Sequence, residues 1–352
     1  MQGVKLRCKQ RPPPDLGAGG HLSAPAADRD GTNPYNFSSA QRLTFTLNLR
    51  TGMDAMALLA DDPSLAQVEH YRDDPHLRAE LNALTRQTYG FDFEDWYQAG
   101  FWQEDNQPCS LVRSGKMLAN ASANLLDFTL DGQPLRCVQI GTVMTAPAAQ
   151  GRGYSRYLME VLVERWAGKC DLLYLFANST VLDLYPRFGF RRVIEHEYFQ
   201  ARSTPPEVST FHPVDLGDST QREHFMAAVM KSCPQARLSL VPNVPLTMFY
   251  CDGPYREALF HSSRHEAYVV VEHDGERMVL VDVFCERELV LADVVAELVR
   301  ATTREVLLGF APLSSEGFAA RVVDNDDALF VWGASKTYVD GQVLMFPLLS
   351  HT

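Results

Sequence analysis

The chain has 352 residues, 46% of them hydrophobic, with a formal charge of −12 and a pI near 5.3. A general nucleic-acid binder needs a basic face, so that class is excluded, and the length allows two or three domains with a real core. Seven cysteines without a C-x-x-C pair, no apolar run of membrane-spanning length and no hydrophobic segment behind the N-terminus read as a cytoplasmic protein with reduced thiols and no membrane contact.

In chain order, residues 1–40 are rich in Pro, Gly, Ala and Asp and follow neither helical nor strand period, which predicts a disordered tail. Residues 42–50 alternate apolar and polar like a strand, and Met53–Leu59 suggests a short helix. From His76 to Tyr89 the positions Leu77, Leu81 and Leu84 predict an amphipathic helix. Next come Phe91-Asp92-Phe93-Glu94-Asp95-Trp96-Tyr97 and Gly100-Phe101-Trp102, a dense mix of aromatics and acids. It reads either as a core helix with an acidic outer face or as the wall of a pocket, with Glu94, Asp95 and Trp96 turned toward it.

Cys109–Val112, Lys116–Leu118 and Asn120–Leu130 read as strands joined by the hairpin turns Ser114-Gly115 and Asp131-Gly132, and Leu135–Thr145 as a central strand. Pro147 stops that strand. After Gln150-Gly151-Arg152-Gly153-Tyr154-Ser155, the positions Tyr154, Tyr157, Leu158, Val161, Leu162 and Arg165 mark one face of a helix. A helix start presents unpaired N–H groups and the positive end of a dipole, and two glycines remove the Cβ atoms that hold an anion away. The glycine pair alone fits a plain tight turn as well as a phosphate site. A P-loop lacks its Gly-Lys-Ser/Thr here, and a Rossmann fingerprint its third glycine, where Arg156 stands. No His-Glu-x-x-His pair and no nucleophile elbow occur, and the seven cysteines do not fall in the glycine motif.

Strand Asp171–Ala177 ends at Asn178, Tyr185 follows on a short helix, and Gly189-Phe190 closes the unit. Taken with Gln150–Ser155, this stretch resembles the GNAT acetyltransferase superfamily over roughly residues 75–200. The pyrophosphate signature Gln/Arg-x-x-Gly-x-Gly/Ala falls on Gln150–Ser155, with Ser155 at the Gly/Ala place. Asn178, Val181, Tyr185, Gly189 and Phe190 follow the register of a second family motif, with Val181 replacing the common Ala.

The resemblance implies an α+β or α/β fold, a mixed and mostly antiparallel sheet flanked by helices. It implies acetyl-CoA as cofactor and transfer of its acetyl group to an amine of a small molecule or protein, directly within a ternary complex. It places Gln150, Gly151, Arg152, Gly153, Tyr154 and Ser155 on the pyrophosphate. Val143 and Met144 fall at the oxyanion edge, Thr145 alongside the pantetheine arm, Asn178 against that arm, and Tyr185 at the general-acid position. It puts Glu94, Asp95 and Trp96 on the acceptor side, meeting an amine. Glu94, Asp95, Glu104 and Asp127 stay open as candidate bases, beside a water chain. The extra sequence after the core is similar to acetyltransferases of the enhanced-intracellular-survival type, in which the terminal carboxylate takes part; Thr352 joins the site only if the tail folds back. A non-catalytic acyl-CoA sensor built on the same pocket is the alternative reading.

Pro205-Pro206 reads as a linker, separating a domain at 41–202 from one at 207–352. In the latter, a helix at Gln221–Lys231 and a hairpin of Tyr268–Val271 with Met278–Phe284 come first. A helix at Leu291–Ala301, a strand at Glu305–Phe310 and strands at Ala328–Trp332 and Gln342–Leu348 follow. The order echoes the first domain without its glycine motif, which predicts a degenerate GNAT-like half that covers the acceptor side or mediates homodimerisation.

Overall fold

The structure, a computed structural model, describes residues 62–202, 205–324, 327–333 and 338–352. The tail expected at 1–40 and the elements read at 42–59 lie outside the described residues.

The first sheet begins with β1 (Leu65–Glu69). Helix α1 (Pro75–Tyr89) follows for local reasons: the Asp74 side chain accepts from the N–H groups of His76 and Leu77, Pro75 takes a first-turn place, and Gly90 closes the helix at φ 85°. Its inner face is Leu81 and Leu84, as the spacing predicts. The short α2 (Glu94–Gln98) leads to β2 (Asn106–Arg113), β3 (Lys116–Leu130) and β4 (Gln133–Thr145). Both predicted hairpin turns form, with Ser114, Gly115, Asp131 and Gly132 all at positive φ. Helix α3 (Tyr154–Trp166) buries Tyr154, Tyr157, Leu158, Met159 and Leu162 against the sheet, and β5 (Leu172–Asn178) runs parallel to β4. A 3₁₀ turn at Tyr185–Phe188 leads into β6 (Phe190–Val193).

The second sheet receives β7 (His196–Ala201) and β8 (His212–Pro213). Helix α4 (Ser219–Lys231), β9 (Leu238–Leu240) and helix α5 (Val244–Cys251) come next. Strands β10 (Leu259–Ser262), β11 (Ala267–Asp274) and β12 (Arg277–Phe284), helix α6 (Leu291–Leu298), β13 (Glu305–Leu308), β14 (Ala319–Val322) and β15 (Asp327–Trp332) complete the chain's regular elements among the described residues.

The sheets are ordered β1-β2-β3-β4-β5-β15-β6 and β8-β10-β11-β12-β13-β7-β14, with β9 added beside β3. In each, an antiparallel hairpin is followed by a helix and a strand parallel to the hairpin's second arm: β3–β4, α3 and β5 in one, β11–β12, α6 and β13 in the other. The next place in each sheet is filled by the other half. Strand β15 lies between β5 and β6, and β7 lies between β13 and β14. The hydrogen bonds therefore do not divide at residues 203–206: β7 belongs to the sheet that follows the linker, and β15 to the sheet that precedes it. A common core joins the facing sheets, with Phe128, Tyr174, Leu329 and Val331 packed among Phe225, Tyr268, Val281 and Phe346.

The stretch Gln342–Leu348, expected as a strand, is not one. It threads between the sheets, where Phe346 stacks on Tyr174 at 4.3 Å and meets Phe128 edge-on, and it ends in a 3₁₀ turn at Leu348–Ser350. Side-chain packing and single bonds such as Phe346 N–H to Glu195 replace a ladder there. The α6 helix is also shorter than read, ending at Leu298.

Candidate active site

The site starts from a defect in β4. Opposite Asn120 and Ser122 of β3, the partners are Met144 and Gly141, so Thr142 and Val143 have no partner facing them. Thr142 takes φ 44°, a left-handed conformation costly for a β-branched residue. A buried polar network holds it. The Asn120 amide donates to the Thr142 carbonyl (3.0 Å), the Thr142 hydroxyl donates to the Ser122 hydroxyl (2.7 Å), and Ser110 and Tyr71 continue the chain behind Asn120. The bulge turns β4 away from β5: their pairing spans only Cys137–Gln139 with Leu172–Tyr174. Beyond Gln139 the two parallel strands splay, leaving a β4 edge open toward a cleft of about 1160 Å³.

At one end of the cleft is the glycine turn. Gly151 and Gly153 sit at φ 74° and 81°, and Cβ atoms built on them would meet nothing within 4 Å, so the turn is a concave cradle. Gly153 caps α3 without any side-chain bond, which leaves the helix's first N–H groups facing outward. Arg152 is exposed on the turn, and Arg156 pairs with Glu160. Tyr154 is buried and its hydroxyl accepts from Arg113 (2.9 Å), while the Thr145 and Ser155 hydroxyls bond each other and tie strand to helix. All ten residues assigned from sequence to a cofactor line this cleft: Val143, Met144, Thr145, Gln150, Gly151, Arg152, Gly153, Tyr154, Ser155 and Asn178.

Tyr185 lines the cleft from the turn between β5 and β6. It opens its 3₁₀ turn with Pro186 after it and Gly189 (φ 87°) closing it, and it packs near Phe190 and Phe330. Burial pushes its phenol up to about 12. Tyr89, at the end of α1, was not singled out from sequence. Although 41% of its surface is open to the cleft, its hydroxyl is held against the Val143 carbonyl (3.0 Å). Its phenol is raised by desolvation first and by the neighbouring Tyr185 second.

Of the residues read as acceptor-binding, Asp95 and Trp96 line the cleft and Glu94 does not. Glu94 turns back to Arg78 (3.0 Å) and Asn82 (2.8 Å), with Gln98 also bonded to it, and these bonds lower its carboxyl below the usual range. Two other candidate bases also stand elsewhere: Glu104 pairs with Arg72 outside the cleft, and Asp127 is exposed on β3.

Two contributions came without a sequence signal strong enough to find them, and a third, the tail, was read only as conditional on its folding back. Helix α5 brings Leu246, Met248, Phe249 and Tyr250 to the cleft from the far half of the chain. Strand β4 supplies Gln139, whose Oε1 is buried without a hydrogen-bond partner. The tail folds back: the His351 ring stacks on Phe176 at 3.9 Å, Tyr250 donates to the His351 carbonyl, and the Thr352 oxygen accepts from Gln139 Nε2 (3.0 Å). Gly141 makes room for it, since a Cβ there would overlap the Thr352 oxygen. That close approach is a reason for a glycine in a strand interior, a signal the sequence did hold.

A bulge that splays two parallel strands, beside a glycine cradle opening a helix, is an arrangement for receiving an extended phosphate-bearing chain. Among known families, the model of the acetyltransferase (GNAT) domain matches residues 80–193. The chain carries a GNAT acetyltransferase domain. It is an acyltransferase enzyme with a GNAT fold. In solved structures, it is similar to a conserved protein of unknown function from Enterococcus faecalis described as a probable N-acyltransferase, at 12% identity over 76% of this chain and 72% of that one, TM-score 0.53. A GCN5-related N-acetyltransferase from Kribbella flavida matches at 17% identity over 76% and 70%, TM-score 0.48. Eis1 from Mycobacterium abscessus matches at 13% over 75% and 72%, TM-score 0.48. The first likeness speaks to the fold. No curated protein sequence matches the chain.

Proposed function

We propose that this GNAT enzyme is an acetyl-CoA-dependent N-acetyltransferase that moves the acetyl group directly to an amine in a ternary complex. The observation that carries this reading is the conjunction of the β4–β5 splay with the Gly151–Gly153 cradle in one cleft. The residues fit the coenzyme. Outward N–H groups at the start of α3 suit a pyrophosphate, and the open β4 edge at Val143–Thr145 suits an extended pantetheine arm added like a strand.

When bound, acetyl-CoA supplies an acyl group on a good leaving thiol. The chain's own groups do the rest. Backbone N–H groups at Val143 and Met144, fixed by the Asn120–Thr142 bond, aim fixed dipoles at the place where negative charge develops on the acyl oxygen. Tyr185 holds a proton on its hydroxyl: raised to about 12, the phenol stays a donor throughout the neutral range and can give that proton to the departing sulfur. An ammonium with a pKa of about 10.4 cannot attack until it loses a proton. In a chain that ends at Thr352, the Thr352 carboxylate beside Gly141 and Gln139 would take that proton. Among the described residues no group of His, Cys, Asp and Glu is arranged to hold a metal.

The test pairs binding with turnover. Calorimetry at low salt should detect CoA and acetyl-CoA, and a free-thiol assay should detect CoA release with an amine present. Tyr185→Phe should lower kcat by about 100-fold with the CoA Kd unchanged. Absence of CoA affinity, or normal turnover by the variant, would overturn the proposal.

A further inference from the structure

The acceptor end of the cleft differs from the cradle end in chemistry. Its wall is aromatic and comes from both halves of the chain. Phe91, Phe93 and Trp96 follow α1, and Phe249 enters from α5, with ring centroids 5.7–5.9 Å from each of the three. The polar tips around this wall are already occupied by protein. Trp96 Nε1 donates to the Pro245 carbonyl (2.7 Å), Tyr89 to Val143 and Tyr250 to His351. The amides of Asn106 and Asn124 are engaged with each other and with the Gln139 carbonyl. What faces the cleft from this wall is therefore carbon and ring faces.

Charge separates the two ends as well. The cationic side chains lining the cleft are Arg152 and Arg156, both on the cradle, whereas the rest of the lining carries Asp92, Asp95, Asp252 and Asp327. Asp92 pairs with Arg86 and Asp252 with Arg222. The Asp95 carbonyl accepts from Ala99, but its carboxylate, exposed beside Trp96, takes part in no hydrogen bond or ion pair among the described residues. Deeper in, Gln139 is 2% exposed and its Oε1 lacks a partner, an acceptor aimed at nothing the protein supplies.

Building on the acyltransferase reading above, we propose that the acceptor is a cationic amine on an apolar, ring-bearing body, an arylalkylamine in chemical class, and not a polyhydroxylated amine. The ring packs on Phe249 and Trp96. Asp95 and the ring faces attract the ammonium form on entry, and Gln139 Oε1 accepts an N–H of the amine at the splay. A sugar amine brings more hydroxyls than Asp95 and Gln139 can pair, and burying an unpaired hydroxyl is costly. Phenethylamine and tryptamine bring none.

The experiment measures kcat/KM by thiol release for phenethylamine, tryptamine and glucosamine with acetyl-CoA, alongside calorimetric Kd for CoA. The aryl amines should exceed glucosamine by at least about tenfold, the scale of discrimination an apolar pocket provides. Phe249→Leu and Asp95→Asn should each raise KM for phenethylamine about tenfold or less while leaving the CoA Kd unchanged; Asp95, exposed and unbonded, tests the wall without threatening the fold. Glucosamine used as well as the aryl amines would overturn the inference. So would retained CoA binding with no aryl amine turned over, or variants with unchanged KM. Loss of CoA binding in the parent protein is the separate result that removes the acyltransferase reading itself.

Discussion

The two halves run the same order of hairpin, helix and parallel strand, yet they differ where the cleft opens, between β4 and β5. In the first, β4 carries a bulge and its pairing with β5 stops after three residue pairs, and α3 starts from glycines at positive φ. In the second, β12 also shifts register, leaving Val281 without a facing partner, and pairs with β13 through four residues, Arg277–Leu280 with Glu305–Leu308, but α6 is capped by Val290 with no glycine from Phe284 to Leu298. Helix α6 lies on its sheet with Val294 and Val295 fully buried. The difference teaches that the repeated framework is a support. The strand defect is common to both copies, so what sets the active copy apart is the turn free of side chains before α3, and the second copy uses the same framework to deliver Phe249, Tyr250 and the tail.

The comparison breaks most completely if the halves are parted. Residues 62–202 alone lack β15, which leaves β6 without a neighbour and β5 with only its short pairing to β4, and removes Leu329, Phe330 and Val331 from the core. That fragment should fail to give a cooperative unfolding transition, while the full chain should unfold with coincident fluorescence and circular-dichroism transitions. Next in size, Gly141→Ala forces the Thr352 oxygen out of its place. In a chain that ends at Thr352 its kcat should fall by about 100-fold, an acid–base loss, with CoA affinity retained because the cradle is untouched; thiol release and calorimetry check both.

A smaller effect separates the two helix starts. Gly153→Ala puts a Cβ at φ 81°, a strain of about 1–2 kcal/mol, and should weaken CoA about tenfold. Val290→Gly, at the matching place before α6 and exposed, should leave it unchanged by the same titration.

The smallest concerns a buried acid in the second half. Burial pushes the Asp282 carboxyl up to about 7, so the folded state holds its proton more tightly than the unfolded chain does. The sign follows: its contribution is fully present below the unfolded value near 4 and is lost as pH rises through about 7. Asp282→Asn should therefore raise Tm by about 2–4 °C at pH 8, with little change at pH 4, in a thermal melt series. Tyr185 obeys the same rule at higher pH, its raised phenol favouring the folded state below about 10 and losing that contribution through about 12.

Much of the catalytic half was legible as local pattern. The α1 and α3 faces, both hairpin turns and the glycine cradle depend on neighbours within a few residues, where side-chain spacing and φ preferences act directly. The resemblance of Gln150–Ser155, Asn178 and Tyr185 to two family motifs, not spacing alone, brought them together, and all of them line one cleft. Distance in sequence hid the rest. Nothing near Phe249 marks it as a partner of Phe91 and Trp96, and an Asp-Trp run reads the same whether Glu94 or Asp95 faces the cleft. The turn of α2 and the Arg78 side chain decide that.

The sequence by itself determined most of the elements, the family motif and the glycine turn that opens α3, because these are short-range consequences of residue type. Only tertiary structure decided the reciprocal exchange of β7 and β15, the return of Thr352 to Gly141, and the shared aromatic wall. Each depends on which of several equally apolar strands and tails fills a given gap, and that choice is made by packing across the whole chain.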